Sequence, residues 1–107
     1  MPLVIDYKIK YGSFLFENNR IDEAKKQFLS ALELNPTIKE IHMNLGLIAL
    51  VEGKSFYAEN CLKQAIILDP DYILAYENLV VLYQKEDDLA RTKLYLHKIL
   101  EIDPNHR

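Results

Sequence analysis

A chain of 107 residues, half of them hydrophobic and about a quarter charged, has the composition of a globular unit able to bury roughly two-thirds of its unfolded surface. The net charge of −3 comes from 13 basic and 16 acidic side chains of mixed order, so no basic field exists to hold a phosphate backbone and nucleic acid is not an expected partner. No stretch approaches the ~20 apolar residues of a membrane span, and MPLVIDYKIK lacks the build of a secretory signal, so membrane insertion is not expected either.

In chain order, Met1 to Ile5 reads as a short leader, with Pro2 suited to the first turn of an opening helix because its missing amide proton costs nothing there. That helix is predicted roughly from Asp6 to Glu17. Asn18-Asn19-Arg20 forms the turn, asparagine tolerating left-handed backbone. The next helix, roughly Ile21 or Asp22 to Leu34, gathers Ala24, Phe28, Ala31 and Leu32 on one face and Glu23, Lys26, Gln27 and Glu33 on the other. It ends at Asn35-Pro36-Thr37, since Pro36 restricts the residue before it and has no amide to donate. The same plan follows twice. Helices are predicted near Lys39 to Glu52 and Ser55 to Leu68, with a turn at Gly53-Lys54 and Ser55 placed as a cap. They are predicted again from Ile73 to Lys85 or Glu86 and from Leu89 to Ile102, with a turn at Asp87-Asp88. Connections this short force consecutive helices antiparallel.

The run Ile41 to Val51 (IHMNLGLIALV) carries no charge, while Glu40 and Glu52 stand just outside it. Such a helix must be covered on several sides, which places it at the centre of a stack. Its neighbours are copies of it. ALELNP (Ala31 to Pro36), AIILDP (Ala65 to Pro70) and ILEIDP (Ile99 to Pro104) end in prolines 34 residues apart, and the same period joins Gly12 with Gly46 and Ala24 with Ala58.

This pattern resembles the tetratricopeptide repeat, on Tyr11, Gly12, Leu15, Ala24, Phe28, Ala31 and Pro36 in the first unit. The second unit matches through Leu45, Gly46, Ala49, Ala58, Leu62, Ala65 and Pro70. The third keeps Leu79, Tyr83, Leu96 and Pro104 but has Val80, Thr92 and Ile99 where small residues belong. The resemblance implies an all-α fold, a right-handed superhelical α-solenoid of six antiparallel helices. Residues 1–107 then form one domain of three repeats, about 5–38, 39–72 and 73–106. Gly12 and Gly46 are expected to let each first helix approach Ala24 or Ala58 on the second.

The resemblance further implies a concave surface lined by the first helix of each unit, at Asp6, Ile9, Ser13 and Phe16, at Glu40, Met43, Leu47 and Leu50, and at Leu74, Glu77, Val81 and Gln84. Steps of three, four and three residues do put each set on one helix face. Most are apolar, which suits a groove for a helix or extended segment of a protein partner; the competing reading is packing between neighbouring first helices. The expected peptide-binding residues are Ile9, Phe16, Met43, Asn44, Leu47, Leu50, Asn78 and Val81. Asn44 and Asn78 share a repeat position at which asparagine in many family members bonds a peptide backbone, while the first repeat has Lys10 there. Where chaperone-binding members place a carboxylate clamp of cations and amides, this chain has Ile9, Ser13, Asn44, Leu74 and Asn78, without cations.

No cofactor, metal or catalytic site is expected. Cys61 stands alone, which also favours a reducing, cytoplasmic setting. His42, His97 and His106 have no metal-ligand spacing; His42, at a position where family members often have Trp, reads as a packed core residue. Asp22, Glu23, Lys25 and Lys26 show the alternating charge of a solvated face, and Tyr11, Tyr57, Tyr76 and Tyr83 read as packing residues. The last helix offers Leu94, Leu100 and Ile102 as an exposed apolar strip. The leading expectation is a non-enzymatic protein-interaction module; alternatives are a homo-oligomer formed through the last helix or the groove, and a targeting portion of a larger enzyme or secretion component.

Overall fold

The structure, a computed structural model, describes residues 2–106, so the expectations for Met1 and Arg107 lie outside the described residues. Six helices follow one another: α1 (Pro2–Glu17), α2 (Ile21–Leu34), α3 (Lys39–Val51), α4 (Ser55–Leu68), α5 (Ile73–Lys85) and α6 (Leu89–Ile102). They pair as three antiparallel hairpins stacked into an all-α solenoid, and no strand occurs among the described residues. A radius of gyration of 14.0 Å, against about 13 Å for a compact chain of this length, reflects the elongation of a stack.

From Pro2 onwards the expected leader is helical. α1 begins at Pro2 rather than Asp6, because Ile5 is buried in the core with Ile41, Leu45 and Phe28 and draws the first turn into the helix.

Within each hairpin one turn recurs. Asn19, Gly53 and Asp87, one period apart, have φ of 62°, 74° and 55°. The amide after each donates five residues back, Arg20 to the Leu15 carbonyl at 2.8 Å, Lys54 to Ala49 at 2.9 Å and Asp88 to Tyr83 at 2.9 Å, the Schellman closure that left-handed backbone permits. This turn consumes Gly53 and Lys54, so Ser55 is the first helical residue and not the cap expected of it. Asp88, whose carboxylate accepts from the Arg91 amide at 3.0 Å, does cap α6.

Between hairpins the connections repeat as well. The side chains of Asn35, Asp69 and Asp103 each accept the amide two residues on, at 3.0, 3.1 and 3.1 Å, an Asx turn that starts the loop around each proline. His42 Nε2 lies 2.7 Å from the Pro36 carbonyl, and the Tyr76 hydroxyl donates to the Pro70 carbonyl at 2.8 Å. His42 is thus a half-buried loop clamp rather than a core residue, and its place one period before Tyr76 explains the role.

The core runs along the stack as successive clusters, with α3 contributing to two of them. α3 inserts Ile41, Leu45 and Ile48 between α1 and α2, beside Leu15, Ala24 and Phe28. α5 inserts Ala75, Leu79 and Leu82 against Met43, Leu62 and Ala65. Gly12 and Gly46 face Phe28 and Leu62, not primarily the expected Ala24 and Ala58: a Cβ at Gly12 would lie 2.8 Å from Phe28 Cζ, and one at Gly46 2.9 Å from Leu62 Cγ. The larger side chain reaches across where alanine cannot. Gly46→Ala therefore sets an overpacking cost of about 1–3 kcal/mol against a helix-propensity gain of about 1 kcal/mol. It is expected to lower the denaturation midpoint in the wild-type background and to raise it with Leu62→Ala, where the space is free. The same sign in both backgrounds would show that the glycine is not held by this contact.

Candidate functional site

Each second helix returns the chain, so the first helices α1, α3 and α5 lie side by side and build one face of the stack. The eight expected peptide-binding residues fall on these three helices. Ile9 and Phe16 on α1 are half-buried, packed against the cluster that holds Ile41, Leu45 and Ile48. Leu47 and Leu50 on α3 are half-buried over the cluster of Leu79, Leu82 and Tyr83. Each keeps part of its side chain in solvent while its base is fixed by packing. Val81 and Leu74 on α5 stand 41% and 51% exposed. Met43 lies deepest, at 9% exposure, so it forms the floor between α3 and α5.

The two asparagines are not equivalent. Asn78 Nδ2 donates to the Leu74 carbonyl at 2.8 Å, back along its own helix, and lies 3.8 Å from the Met43 sulfur. Its donors are thus engaged, leaving the amide oxygen as the free acceptor. Asn44 is half-buried and, among the described residues, shows no such side-chain bond. Asp6 and Glu40 are exposed at one end of the face, so a segment entering there meets negative charge.

Several polar features are visible only in three dimensions. The Tyr83 hydroxyl of α5 donates to Glu59 of α4, which also meets Lys63 at 3.5 Å and Arg91 at 3.6 Å. The bond from Tyr83, ahead of the opposing effect of burial, holds the Glu59 carboxyl below its usual range; burial first, then that bond, pushes the Tyr83 phenol up. Lys39 pairs with Asp69 and sits 4.7 Å from the centre of the Tyr72 ring. Burial, with Glu40 and Asp69 nearby, pushes the Tyr72 phenol up to about 12. Residues that are far apart in sequence make these contacts; the one available signal is that Lys25, Glu59 and Lys93 recur at the period.

Tyr76 and Tyr83 are buried, whereas Tyr11 and Tyr57 remain more than a third exposed. Cys61 is buried and burial raises its thiol, so it has the environment of an inert packing residue. Among the described residues no three His, Cys, Asp or Glu side chains are grouped to hold a metal ion, and no helix is long and apolar enough to cross a membrane.

Comparison with known proteins places this geometry. Residues 5–38 match the family model of the tetratricopeptide repeat. The chain is 29% identical over 79 residues to the uncharacterized protein ycf37 of Pyropia yezoensis, across 74% of this chain and 44% of that protein. It is 32% identical over 84 residues to the human protein O-mannosyl-transferase TMTC3, across 78% of this chain and 9% of that one. The chain therefore spans less than half the length of these relatives. Among solved structures it is similar to the first TPR of Spaghetti (RPAP3) bound to the HSP90 peptide SRMEEVD, with a TM-score of 0.88, 20% identity and coverage of 95% of this chain and 81% of that one. It also superposes on Thermobaculum terrenum O-GlcNAc transferase, in a mutant form, with a TM-score of 0.91, 21% identity and coverage of 98% and 20%.

Proposed function

We propose that this chain, which belongs to the tetratricopeptide-repeat family, is a non-enzymatic protein-interaction scaffold whose concave face holds an apolar or amphipathic segment of a partner protein. The observation that carries this reading is the row of partly exposed apolar side chains on α1 and α3, Ile9, Phe16, Leu47 and Leu50, fixed from below by a buried core, with exposed Val81 continuing it on α5. Preorganised side chains of this kind lose little freedom on binding, and each buried large one contributes about 1.5–3 kcal/mol before ordering costs. Met43 supplies the floor, Asn44 both donor and acceptor, and Asn78 an acceptor for a partner's backbone amide. The two Spaghetti domains bound to an HSP90 peptide support peptide binding on this fold. Without cations at Ile9, Ser13, Asn44, Leu74 and Asn78, however, the partner favoured here is apolar rather than a free carboxylate.

Residues 1–107 act in this reading as one domain of three repeats, about 5–38, 39–72 and 73–106. Because its lone buried thiol gains nothing from an oxidising compartment, the setting proposed is the cytoplasm.

Selection from a displayed random-peptide library tests the site. Sequences with apolar residues at helical or alternating spacing should be enriched on the wild type and lost with Leu47→Glu, whose far-UV spectrum stays unchanged. Enrichment of acidic carboxyl-terminal sequences, or equal retention by the variant, would overturn it. A second reading rests on the relatives themselves: TMTC3, TMTC1 and a SPINDLY protein are named as glycosyl-transferring enzymes and match over 9%, 9% and 10% of their lengths. In that case the scaffold presents substrates to a catalytic region elsewhere, and a transcript encoding no further domain would eliminate it.

A further inference from the structure

The two ends of the stack carry the two halves of the contact that joins its repeats. Inside the stack, α3 buries Ile41, Leu45 and Ile48 in the preceding hairpin, and α5 buries Ala75, Leu79 and Leu82 one period later. One period earlier the same register falls on Tyr7, Tyr11 and Phe14 of α1, which are 65%, 37% and 59% exposed. The rings of Tyr7 and Tyr11 stack with centroids 5.9 Å apart, so the end helix presents an ordered aromatic face where inner helices present buried aliphatic ones.

At the opposite end, the residues that receive α5 also have successors. Leu62, Ala65 and Ile66 of α4 become Leu96, Ile99 and Leu100 of α6, and with Val80 these line an open groove of about 430 Å³ between α5 and α6. One rim is fixed by His106 Nε2, 2.7 Å from the Glu77 carboxylate. The groove is thus the uncovered continuation of the core, shaped to receive the first helix of a following hairpin.

Charge follows the same register. Glu59 of α4 meets Arg91 of α6 across the boundary between the second and third hairpins at 3.6 Å. Continued by one period, the positions are Lys93, exposed on α6, and the residue that corresponds to Arg91 in a first hairpin, Glu23 of α2. Glu23 is half-buried and already paired with Arg20, so in a stacked copy this pair would bring its carboxylate to Lys93, with the signs of the inner boundary reversed.

We propose that this chain stacks head to tail, the Tyr7, Tyr11 and Phe14 face of one copy seating in the Val80, Leu96, Ile99 and Leu100 groove of the next, with Lys93 against Glu23. The occupant is a second copy because its first hairpin carries both the apolar register, on α1, and the charge, on α2, that continue the interface already present between repeats. The contact is heterologous, so each addition leaves one free face and one free groove and growth is not self-limiting. Of the concave positions Glu77 and Val81 also border this groove, whereas Ile9, Phe16, Met43, Leu47 and Leu50 do not, so a substitution at Leu47 separates this inference from the peptide-binding reading.

Sedimentation velocity of the 107-residue chain tests it with two variants at exposed positions, Phe14→Lys to spoil the face and Leu100→Lys to spoil the groove. The mean mass of the wild type should climb with concentration between micromolar and near-millimolar, whereas each variant alone should stay monomeric with an unchanged helical spectrum. Mixed in equal amounts, the two variants retain one good face and one good groove between them, so they should reach twice the monomer mass and stop there. A wild type that stays monomeric throughout overturns the proposal and assigns both surfaces to other partners. So does a variant that still associates alone, or a mixture that remains monomeric. Leu47→Glu should assemble like the wild type, and its loss of assembly would place the contact on the concave face instead.

Discussion

Phe28→Ala is expected to remove about 3–5 kcal/mol of stability, a large share of the ~5–15 kcal/mol that typically holds a domain folded. Phe28 is 1% exposed, and its ring spans the gap between the two helices of the first hairpin to lie over Gly12. The side of the space towards α1 and α2 cannot be refilled, because glycine has no side chain to extend and Ala24 and Ala31 are too short and already fully buried. The loss should be felt unevenly along the chain. In a stack each unit touches only its neighbours, so the damage belongs to the first hairpin and to its contact with α3. Native-state hydrogen exchange checks this: amides of α1 and α2 should lose protection first, while those of α5 and α6 keep most of theirs. Equal loss in all six helices would show that the stack unfolds as one unit and that nearest-neighbour coupling does not describe it.

The period of 34 residues carries much of what the sequence reveals, and the reason is physical. One hairpin cannot cover its own apolar faces, so the positions that meet the next hairpin must recur, as Ile41, Leu45 and Ile48 do at Ala75, Leu79 and Leu82. Helix ends are readable for the same reason, since the left-handed residue at 19, 53 and 87 and the Asx turns at 35, 69 and 103 are set locally. Features without a repeat partner are not readable. Nothing local distinguishes Ile5 from a leader residue; its burial against α3 does. Ser55 has the chemistry of a cap, yet the closure after Gly53 places it one residue too late. His106 looks like a tail residue until α5 brings Glu77 beside it. In the apolar strip anticipated on α6, Leu94 and Leu100 are about half exposed, but Ile102 packs on Tyr76, Val80 and Ile99 because it lies on the side of the helix turned towards α5. The face of α1, α3 and α5 is readable as a spacing, whereas the engagement of Asn78 by Leu74 and Met43 depends on how closely α3 approaches α5.

Tyr83→Ala should cost as much as Phe28→Ala or more, since it opens a cavity and also breaks the polar link between the second and third hairpins. Tyr83 is the largest of the fully buried side chains, and its ring lies 5.4 Å from that of Tyr95 and 5.5 Å from the Arg91 guanidinium. Tyr83→Phe separates the two contributions by keeping the ring and deleting the donor. Loss of a hydrogen bond to a charged acceptor costs about 1.5–3 kcal/mol, and the lower end is expected because Lys63 and Arg91 still face Glu59. The pH profile carries the sharper test. Glu59, held below its ordinary value of 4.5 chiefly by Tyr83, contributes stability that is present above that value and lost as pH falls through the lower folded one. Tyr83, raised above 10.0, contributes stability that is present below that value and lost as pH climbs through the higher folded one. Wild-type stability should therefore fall on both the acid and the alkaline side, with Tyr72 and Tyr76, also raised by burial, adding to the alkaline fall. In Tyr83→Phe the acid slope should flatten because Glu59 loses its main partner, and the alkaline slope should flatten while keeping the part owed to Tyr72 and Tyr76. Denaturation midpoints measured across the pH range decide it: a variant profile parallel to the wild type, merely displaced downward, would mean that the hydroxyl and the carboxylate are not coupled and that Tyr83 joins the two hairpins by packing alone.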